Sequence, residues 1–262
     1  FQLESDGMTK LVRELRPTRF DDLVALLALY RPGPLGSNMH MEFVECKHGR
    51  KAVVYDHPAL EPILRDTYGM ILYQEQVMQI AQVLAGFSLG QADLMRRAMG
   101  KKKREEMEKI RESFIAGAVE RGVDRDLAGK IFDKIEYFSG YGFNKSHSAA
   151  YALISYRTAY LKAHYPVDYL AALMTNAIGD KVEEMEKYFA EARELDVQIL
   201  PPDVNESDKR FTVSHGNIRF GLAAIKNVGE AAVEGIIAAR EKGGPFHDFR
   251  DFCERVDLTL VN

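Results

Sequence analysis

The sequence predicts a mainly α-helical protein that carries a small β-hairpin. Apolar residues recur every three or four positions through most of the chain, which is typical of amphipathic helices. Two short apolar runs on either side of His215-Gly216-Asn217 instead favour a hairpin with a glycine-containing turn. We therefore expect a multi-helix region followed by a smaller α+β part, with the change of character near Gly179.

Sequence signals for helix ends divide the N-terminal part of the chain into a predicted helix and an irregular stretch. Thr18 or Asp21 is expected to start a helix, which the proline-rich residues 31–34 (RPGP) end because proline cannot continue a helical ladder. Residues 36–62 contain several glycines and prolines and show weak periodicity. We expect this stretch to be irregular.

The middle of the chain carries clearer helix signals. Residues 74–84 place apolar side chains on one stripe, and Gly86 is expected to end that helix. Ser88 with Gln91 forms a capping-box pattern that predicts the start of the next helix. Asp124 is expected to cap a further helix.

The same signals predict the remaining elements. Tyr165-Pro166 is expected to separate two helices, since the residue before proline avoids the helical conformation. The predicted elements are a long apolar helix at 148–164, a helix that Asp168 starts and that runs to about residue 176, a charged helix at 182–195, a short strand at 197–200 and a helix at 230–242.

Composition narrows the class of protein. The 262 residues carry a net charge of -4, so a nucleic-acid contact would depend on local basic patches. Cys46 and Cys253 lie far apart, which argues against a disulfide framework and favours a reducing, cytoplasmic setting. No apolar run is long enough to cross a bilayer, so no membrane contact is expected. The start at Phe1 rather than Met indicates a segment excised from a longer protein.

Two patterns resemble catalytic motifs but are interpreted as structural. Residues 86–90 (GFSLG) match the nucleophile elbow of serine hydrolases, which requires a strand before the serine, whereas a helix is predicted there. Asp124-Arg125-Asp126 is a D-x-D pair, but it precedes a helical stripe and is better explained by capping. The histidines and cysteines show no zinc spacing, so we expect no metal site in this chain.

A run of basic residues at 96–104 (RRAMGKKKR) is the first candidate site. Arg97 and Lys101 lie one helical turn apart and Arg96 and Lys103 two turns apart, while Met95, Ala98 and Met99 are expected on the buried side. The resulting stripe of cations suits a triphosphate or a DNA backbone. The alternative is a solvated basic face paired with Glu105, Glu106 and Glu108.

A glycine-aromatic turn at 140–148 (GYGFNKSHS) is the second candidate. Asn144, Lys145, Ser146 and His147 gather at a predicted helix start, where free backbone N–H groups favour phosphate. The turn is not a P-loop, because Asn144 stands where that motif needs glycine and no strand precedes it. The alternative is a helix cap with surface polar residues.

A third candidate lies near the C-terminus. Residues 225–229 (IKNVG), followed by a helix, resemble the hairpin of a helix-hairpin-helix element, in which backbone N–H groups hold a DNA phosphate without reading sequence. The first helix would be only residues 222–226, so the element is degenerate. Lys226, Val228 and Gly229 are the candidate contacts.

Five stretches of the chain form a recognisable set. They are 1–5 (FQLES), 29–35 (LYRPGPL), 68–78 (YGMILYQEQVM), 96–103 (RRAMGKKK) and 141–151 (YGFNKSHSAAY). In their residues, order and spacing they resemble the bacterial DNA polymerase III alpha-subunit family, the C-family replicative polymerases. The resemblance covers essentially the whole chain.

The resemblance implies that this chain is the fingers region of a DNA-directed DNA polymerase, with 1–178 as fingers core and 179–262 as distal fingers. The family's catalytic aspartates belong to the palm domain, upstream of this chain, so the chain alone is expected to be inactive. Arg96, Arg97 and Lys101, with Asn144, Lys145, Ser146 and His147, would contact the phosphates of the incoming nucleotide. Lys102, Lys103, Lys226, Val228 and Gly229 would contact the DNA backbone.

The resemblance also implies the cofactor and partners. Mg²⁺ would be held by the palm domain and by the nucleotide, and the partners would be primer-template DNA, deoxynucleoside triphosphates, the sliding clamp and other replicase subunits. Two other classes stay open from the residues alone. One is a non-catalytic nucleic-acid-binding module, and the other is a helical protein-interaction segment, which the acidic net charge would suit.

Overall fold

A computed structural model describes residues 1–101, 104–139, 142–179 and 182–260, which form two compact units, Phe1–Thr158 and Ala159–Asn262. Most described residues are helical and a small three-stranded sheet lies in the second unit, so the predicted fold class is confirmed. Among the described helices, none has the length and apolar character needed to cross a bilayer. The predicted functional division at residue 179 concerns roles along the chain and stays a prediction.

The first unit is built from helices joined mostly by short turns, with a longer connection at 48–57. Two single 3₁₀ turns, Pro58–Leu60 and Arg65–Thr67, flank its shortest helix. Its helices are α1 Asp6–Leu15, α2 Phe20–Leu29, α3 Pro32–Gly36, α4 Met39–Lys47, α5 Glu61–Leu64, α6 Gln74–Ala85, α7 Leu89–Lys101, α8 Arg104–Glu120, α9 Arg125–Ser139 and most of α10, Lys145–His164.

Local signals fix where the central helices begin and end, as predicted. Gly86 ends α6 in the left-handed conformation (φ 68°), which glycine adopts without steric cost. The N–H of Ser88 donates to Gln91 Oε1 at 2.8 Å, and the N–H of Gln91 donates back to Ser88 Oγ at 3.3 Å. This reciprocal capping box starts α7.

Two hydrophobic clusters hold the first unit together. One lies among α6, α7, α8 and α9 and includes the fully buried Met95, Phe114 and Phe132. The other lies among α1, α2, α4 and α10 and includes Leu15, Leu26 and Phe43. Helices α6 and α8 approach so closely that a Cβ at Gly117 would clash with the backbone carbonyl of Ala85. The packing therefore fixes α6 against its neighbours.

The expectation that residues 36–62 are irregular is wrong, because α4 lies within that stretch. Met39, Phe43, Val44 and Cys46 are buried at helical spacing, and their burial stabilises the helix. Asn38 precedes the helix in the left-handed conformation (φ 59°), which asparagine tolerates better than most residues. The glycines and prolines that predicted irregular structure lie outside α4.

A buried ion pair joins α2 to α4. The Lys47 Nζ lies 2.7 Å from Asp22 Oδ2, with side chains that are 7% and 0% exposed. Burial by itself raises the pKa of Asp22, but hydrogen bonds from Lys47 and from the N–H groups of Thr18 and Arg19 outweigh it and leave the pKa below its ordinary value. The same carboxylate thus caps the start of α2 and anchors α4.

The second unit combines helices with the small sheet. The strand order is β1-β3-β2, with β1 parallel and β2 antiparallel to β3. His215 and Gly216 form the hairpin turn with positive φ angles of 50° and 76°, so the predicted hairpin is confirmed. Its elements after α10 are α11 Pro166–Asn176, α12 Val182–Glu194, β1 Ile199–Leu200, β2 Thr212–Ser214, β3 Asn217–Arg219, α13 Glu230–Gly243 and α14 Phe249–Arg255.

Two details of the second unit differ from expectation. Helix α11 begins at Pro166 rather than at Asp168, because proline fits the first helical position, where its missing N–H costs nothing. Asp168 lies instead in the first turn of the helix, where its negative charge interacts favourably with the positive end of the helix dipole. Helix α14 has no counterpart among the predicted elements.

Replacing Lys47 by Met is expected to lower the free energy of unfolding of the chain by about 3–5 kcal/mol. The substitution removes the close, buried counter-ion of Asp22 and leaves its carboxylate only the ionic contact with Arg19 Nη2, 3.8 Å from Oδ1. Urea denaturation of the purified chain measures this change. Lys51→Met is the matched control, because Lys51 pairs with Glu42 at the exposed surface and its loss should matter far less. Equal effects of the two substitutions would contradict the assignment.

Candidate functional site

Arg96 and Arg97 lie side by side on α7, and the predicted orientation of that helix is confirmed. Met95, Ala98 and Met99 are buried in the cluster formed by α6 to α9. The Arg97 side chain is 63% exposed, and that of Arg96 is 29% exposed. Lys102 and Lys103 lie outside the described residues, as does the side chain of Lys101.

Asp93 holds both arginines, a contact that the sequence reasoning missed. Arg96 donates to Asp93 Oδ1 through Nε at 3.0 Å and Nη2 at 2.8 Å, while Arg97 Nε lies 2.8 Å from Oδ2. The hydrogen bond from Arg96 and the charges of both arginines hold the pKa of Asp93 below its ordinary value. The signal was present in the sequence, because an acid three and four positions before two bases pairs with them on a helix.

The start of α10 is more fully hydrogen-bonded than expected. Both oxygens of Glu75 lie 3.0 Å from the N–H of Lys145, and Asn144 Oδ1 accepts the N–H of His147 at 2.8 Å. The expectation of free N–H groups at this turn is therefore wrong for Lys145 and His147. Asn144, Ser146 and His147 are exposed, so their side chains are open to a ligand.

Aromatic rings surround the side chains of this turn. Lys145 Nζ lies 5.5 Å from the centroid of the buried Tyr73 ring. The His147 ring contacts Phe143 and Tyr151, with centroids 5.6 and 4.3 Å away. The guanidinium carbon of Arg31 lies 4.3 Å from the centre of the Phe143 ring, which adds a further cation that the sequence reasoning did not assign to this turn.

The first residue of α6 brings the two candidate clusters together. Gln74 Oε1 accepts a hydrogen bond from Arg96 Nη1 at 3.2 Å, and Gln74 Nε2 donates to the carbonyl of Gly142 at 3.2 Å. The arginines of α7 therefore lie on the same part of the first unit as residues 142–147, which comprise the turn before α10 and its first residues and are called the turn before α10 below. Gly140 and Tyr141, which begin the turn, lie outside the described residues.

The third candidate, in the second unit, has a shorter first helix than a regular helix-hairpin-helix element. Leu222–Ala224 is a single 3₁₀ turn, and Asn227 is left-handed with φ 69°. The N–H of Val228 donates to the carbonyl of Ile225 at 3.1 Å, and Gly229 caps α13. Lys226 and Gly229 are exposed.

The serine-hydrolase-like motif at 86–90 and the D-x-D pair at 124–126 both have structural roles. Gly86 and Ser88 belong to the helix-to-helix corner between α6 and α7, with no preceding strand among the described residues. Asp124 Oδ1 accepts the N–H groups of Asp126 and Leu127 at 3.0 and 2.9 Å, which caps α9. Within the described ranges, no three His, Cys, Asp or Glu side chains come together to hold a metal ion.

Family models and curated relatives agree on the kind of protein that this chain resembles. The model of the bacterial DNA polymerase III alpha subunit finger domain matches residues 1–122. A helix-hairpin-helix motif model matches residues 196–262, which confirms the element predicted near Gly229.

Curated relatives match the chain from end to end. The DNA polymerase III subunits alpha of Pseudomonas aeruginosa and Vibrio cholerae are each 55% identical over the whole chain, and that of Escherichia coli is 53% identical. The chain spans 23% of the length of each of these relatives.

Replacing Arg96 by Leu is expected to raise the pKa of Asp93 toward its ordinary value of 3.8, because the Arg96 hydrogen bond is the largest cause of its lowering. Carboxyl NMR titration of the chain measures the shift. Arg97→Leu should raise the pKa less, and a pKa of Asp93 that stays unchanged in both variants would contradict the paired geometry.

Proposed function

The chain belongs to the bacterial DNA polymerase III alpha-subunit family, as its fingers region, and on that premise we propose that it binds the triphosphate of an incoming deoxynucleotide and the DNA backbone. The observation that carries the proposal is the meeting of Arg96 with the turn before α10 through Gln74. Two stretches that are distant in sequence thereby place cations and polar side chains on one surface. Such an arrangement suits a polyanion.

The proposed reaction of the full-length subunit is template-directed nucleotidyl transfer. The primer 3′-hydroxyl attacks the α-phosphate of the nucleotide, and pyrophosphate leaves. The catalytic aspartates are proposed to lie in a palm domain outside this chain, so that the fingers contribute positioning and charge neutralisation.

Mg²⁺ is proposed to be held by the palm and the nucleotide. The described residues of this chain do not fit such a site, because they offer no cluster of three ligands, and Asp93 and Glu75 are already bonded to Arg96, Arg97 and Lys145.

Binding of a triphosphate would add a partner to an existing set of ion pairs. Arg97 is the more exposed of the two arginines, and it shares the Asp93 carboxylate with Arg96. A triphosphate carries more negative charge than Asp93 and can accept from the N–H groups that Asp93 leaves unused. Lys101, Asn144, Lys145, Ser146 and His147 are proposed to complete the contacts with the phosphates.

The helix-hairpin-helix part of the second unit is proposed to bind the backbone of duplex DNA. Lys226, Val228 and Gly229, with Lys102 and Lys103 of the first unit, are the proposed backbone contacts. Because Val228 already donates its N–H to Ile225, the exposed Lys226 and the amide of Gly229 are the stronger candidates. The sliding clamp and other replicase subunits are proposed as partners of the full-length protein, in the cytoplasm.

The match at residues 196–262 also favours a second candidate, a module that binds nucleic acid without nucleotide chemistry. The two candidates differ in their response to nucleotide. Salt-dependent DNA binding that no correctly paired nucleotide strengthens would favour the module. A ternary complex stabilised by the next nucleotide would favour the fingers role.

Replacing Arg97 by Ala in the full-length subunit is expected to raise the KM for deoxynucleotides and lower kcat. The combined loss in kcat/KM should be roughly tenfold or more, as for one charge-assisted hydrogen bond to phosphate. Steady-state primer extension measures both constants. Arg125→Ala is the control, because Arg125 is an exposed arginine at the start of α9 in the same unit. Unchanged kinetics for Arg97→Ala would refute the proposed contact.

Replacing Lys226 by Met should weaken binding of the full-length subunit to primer-template DNA. It should also make the slope of log affinity against log salt concentration less steep by about 0.9, the contribution of one neutralised phosphate. Fluorescence anisotropy over a salt series gives the slope. Lys242→Met, in the last turn of α13, is the control. An unaltered slope for Lys226→Met would exclude this contact.

A further inference from the structure

The start of α6 is held rigidly by its own side chains. Gln76 is buried, and its Oε1 accepts the N–H groups of Leu72 and Tyr73 at 2.8 and 2.9 Å. Its Nε2 donates to Thr67 Oγ1 at 2.8 Å. These bonds satisfy two N–H groups at the start of the helix and fix the backbone that leads into it.

The same backbone is paired with the turn before α10. The N–H of Gln74 donates to the carbonyl of Phe143 at 2.9 Å, and the N–H of Phe143 donates to the carbonyl of Leu72 at 3.1 Å. Next to this pairing, Glu75 accepts the N–H of Lys145. The first residues of α6 are thus the fixed frame that supports the turn before α10.

The Gln74 side chain extends from this frame to α7. Asp93 binds Nε and Nη2 of Arg96, and Gln74 binds Nη1, so three guanidinium nitrogens have fixed partners. A planar guanidinium held on two edges has one orientation. The other end of the Gln74 amide is held by the Gly142 carbonyl, so the orientation of Arg96 is tied to that of the turn.

We propose that Gln74 is a positioning residue that couples Arg96 on α7 to the turn before α10, so that both meet the nucleotide phosphates in one fixed arrangement. The proposal rests on the proposed function of Arg96 and the turn. Gln74 acts through these groups and does not itself contact phosphate. Removing its amide leaves each group in place but lets it move independently of the other.

The test uses the full-length subunit with Gln74→Met, which keeps the length of the side chain and removes both hydrogen bonds. We expect the KM for deoxynucleotides to rise roughly tenfold, with a smaller change in kcat. Gln79→Met is the matched control on the exposed face of the same helix and should leave both constants unchanged. Gln74→Asn keeps an amide that is one methylene too short to reach both partners, so it should behave like Gln74→Met.

A double substitution separates this coupling from the function on which it rests. If Gln74 acts through Arg96, the KM of Gln74→Met combined with Arg96→Ala should be little higher than that of Arg96→Ala alone. Fully multiplicative effects would overturn the coupling, as would a normal KM in both Gln74→Met and Gln74→Asn. If Arg96→Ala leaves the KM unchanged, the proposed phosphate contact itself fails. Melting temperatures of the variants show whether a loss reflects unfolding.

Discussion

A short backbone pairing between the start of α6 and Phe143 is the constraint on which the candidate site depends. It joins two segments that lie far apart in sequence, and the adjacent Gln74 and Glu75 side chains extend it to α7 and to the first N–H of α10. Without this pairing, only the packing of the helices would relate the arginines to the turn. A polyanion bound between them would then have to pay the entropy of ordering both elements itself.

Charge compensation is the second general feature of this surface. The chain is acidic overall, and Arg96 and Arg97 share the Asp93 carboxylate in the resting structure. Such pairs keep long side chains in defined rotamers before a ligand arrives, at little net cost because they remain partly solvated. The positive electrostatic potential at this surface is therefore local. It depends on how far the Asp93 carboxylate neutralises the two guanidinium groups.

The sequence predicted elements whose signals are local. The cap at Gly86, the Ser88–Gln91 box and the His215–Gly216 turn each depend on a few neighbouring residues, and all three form as expected. Helix α4 was missed because its stability comes from burying Phe43 and Val44 against distant helices. The basic stripe and the turn were found as separate clusters. The bonds of Gln74 and Glu75 that join them are tertiary contacts, which periodicity does not reveal, whereas the spacing of Asp93 from both arginines was readable but overlooked.

The close approach at Gly117 has a consequence for motion. The backbones of α6 and α8 come so close there that only a residue without a side chain fits against the Ala85 carbonyl, so a slide that brought a larger residue to this point would be hindered. Shear between packed helices is one of the two common ways in which domains close on ligands, and the close contact at Gly117 disfavours it here. We therefore expect α6 and α8 to move as one body.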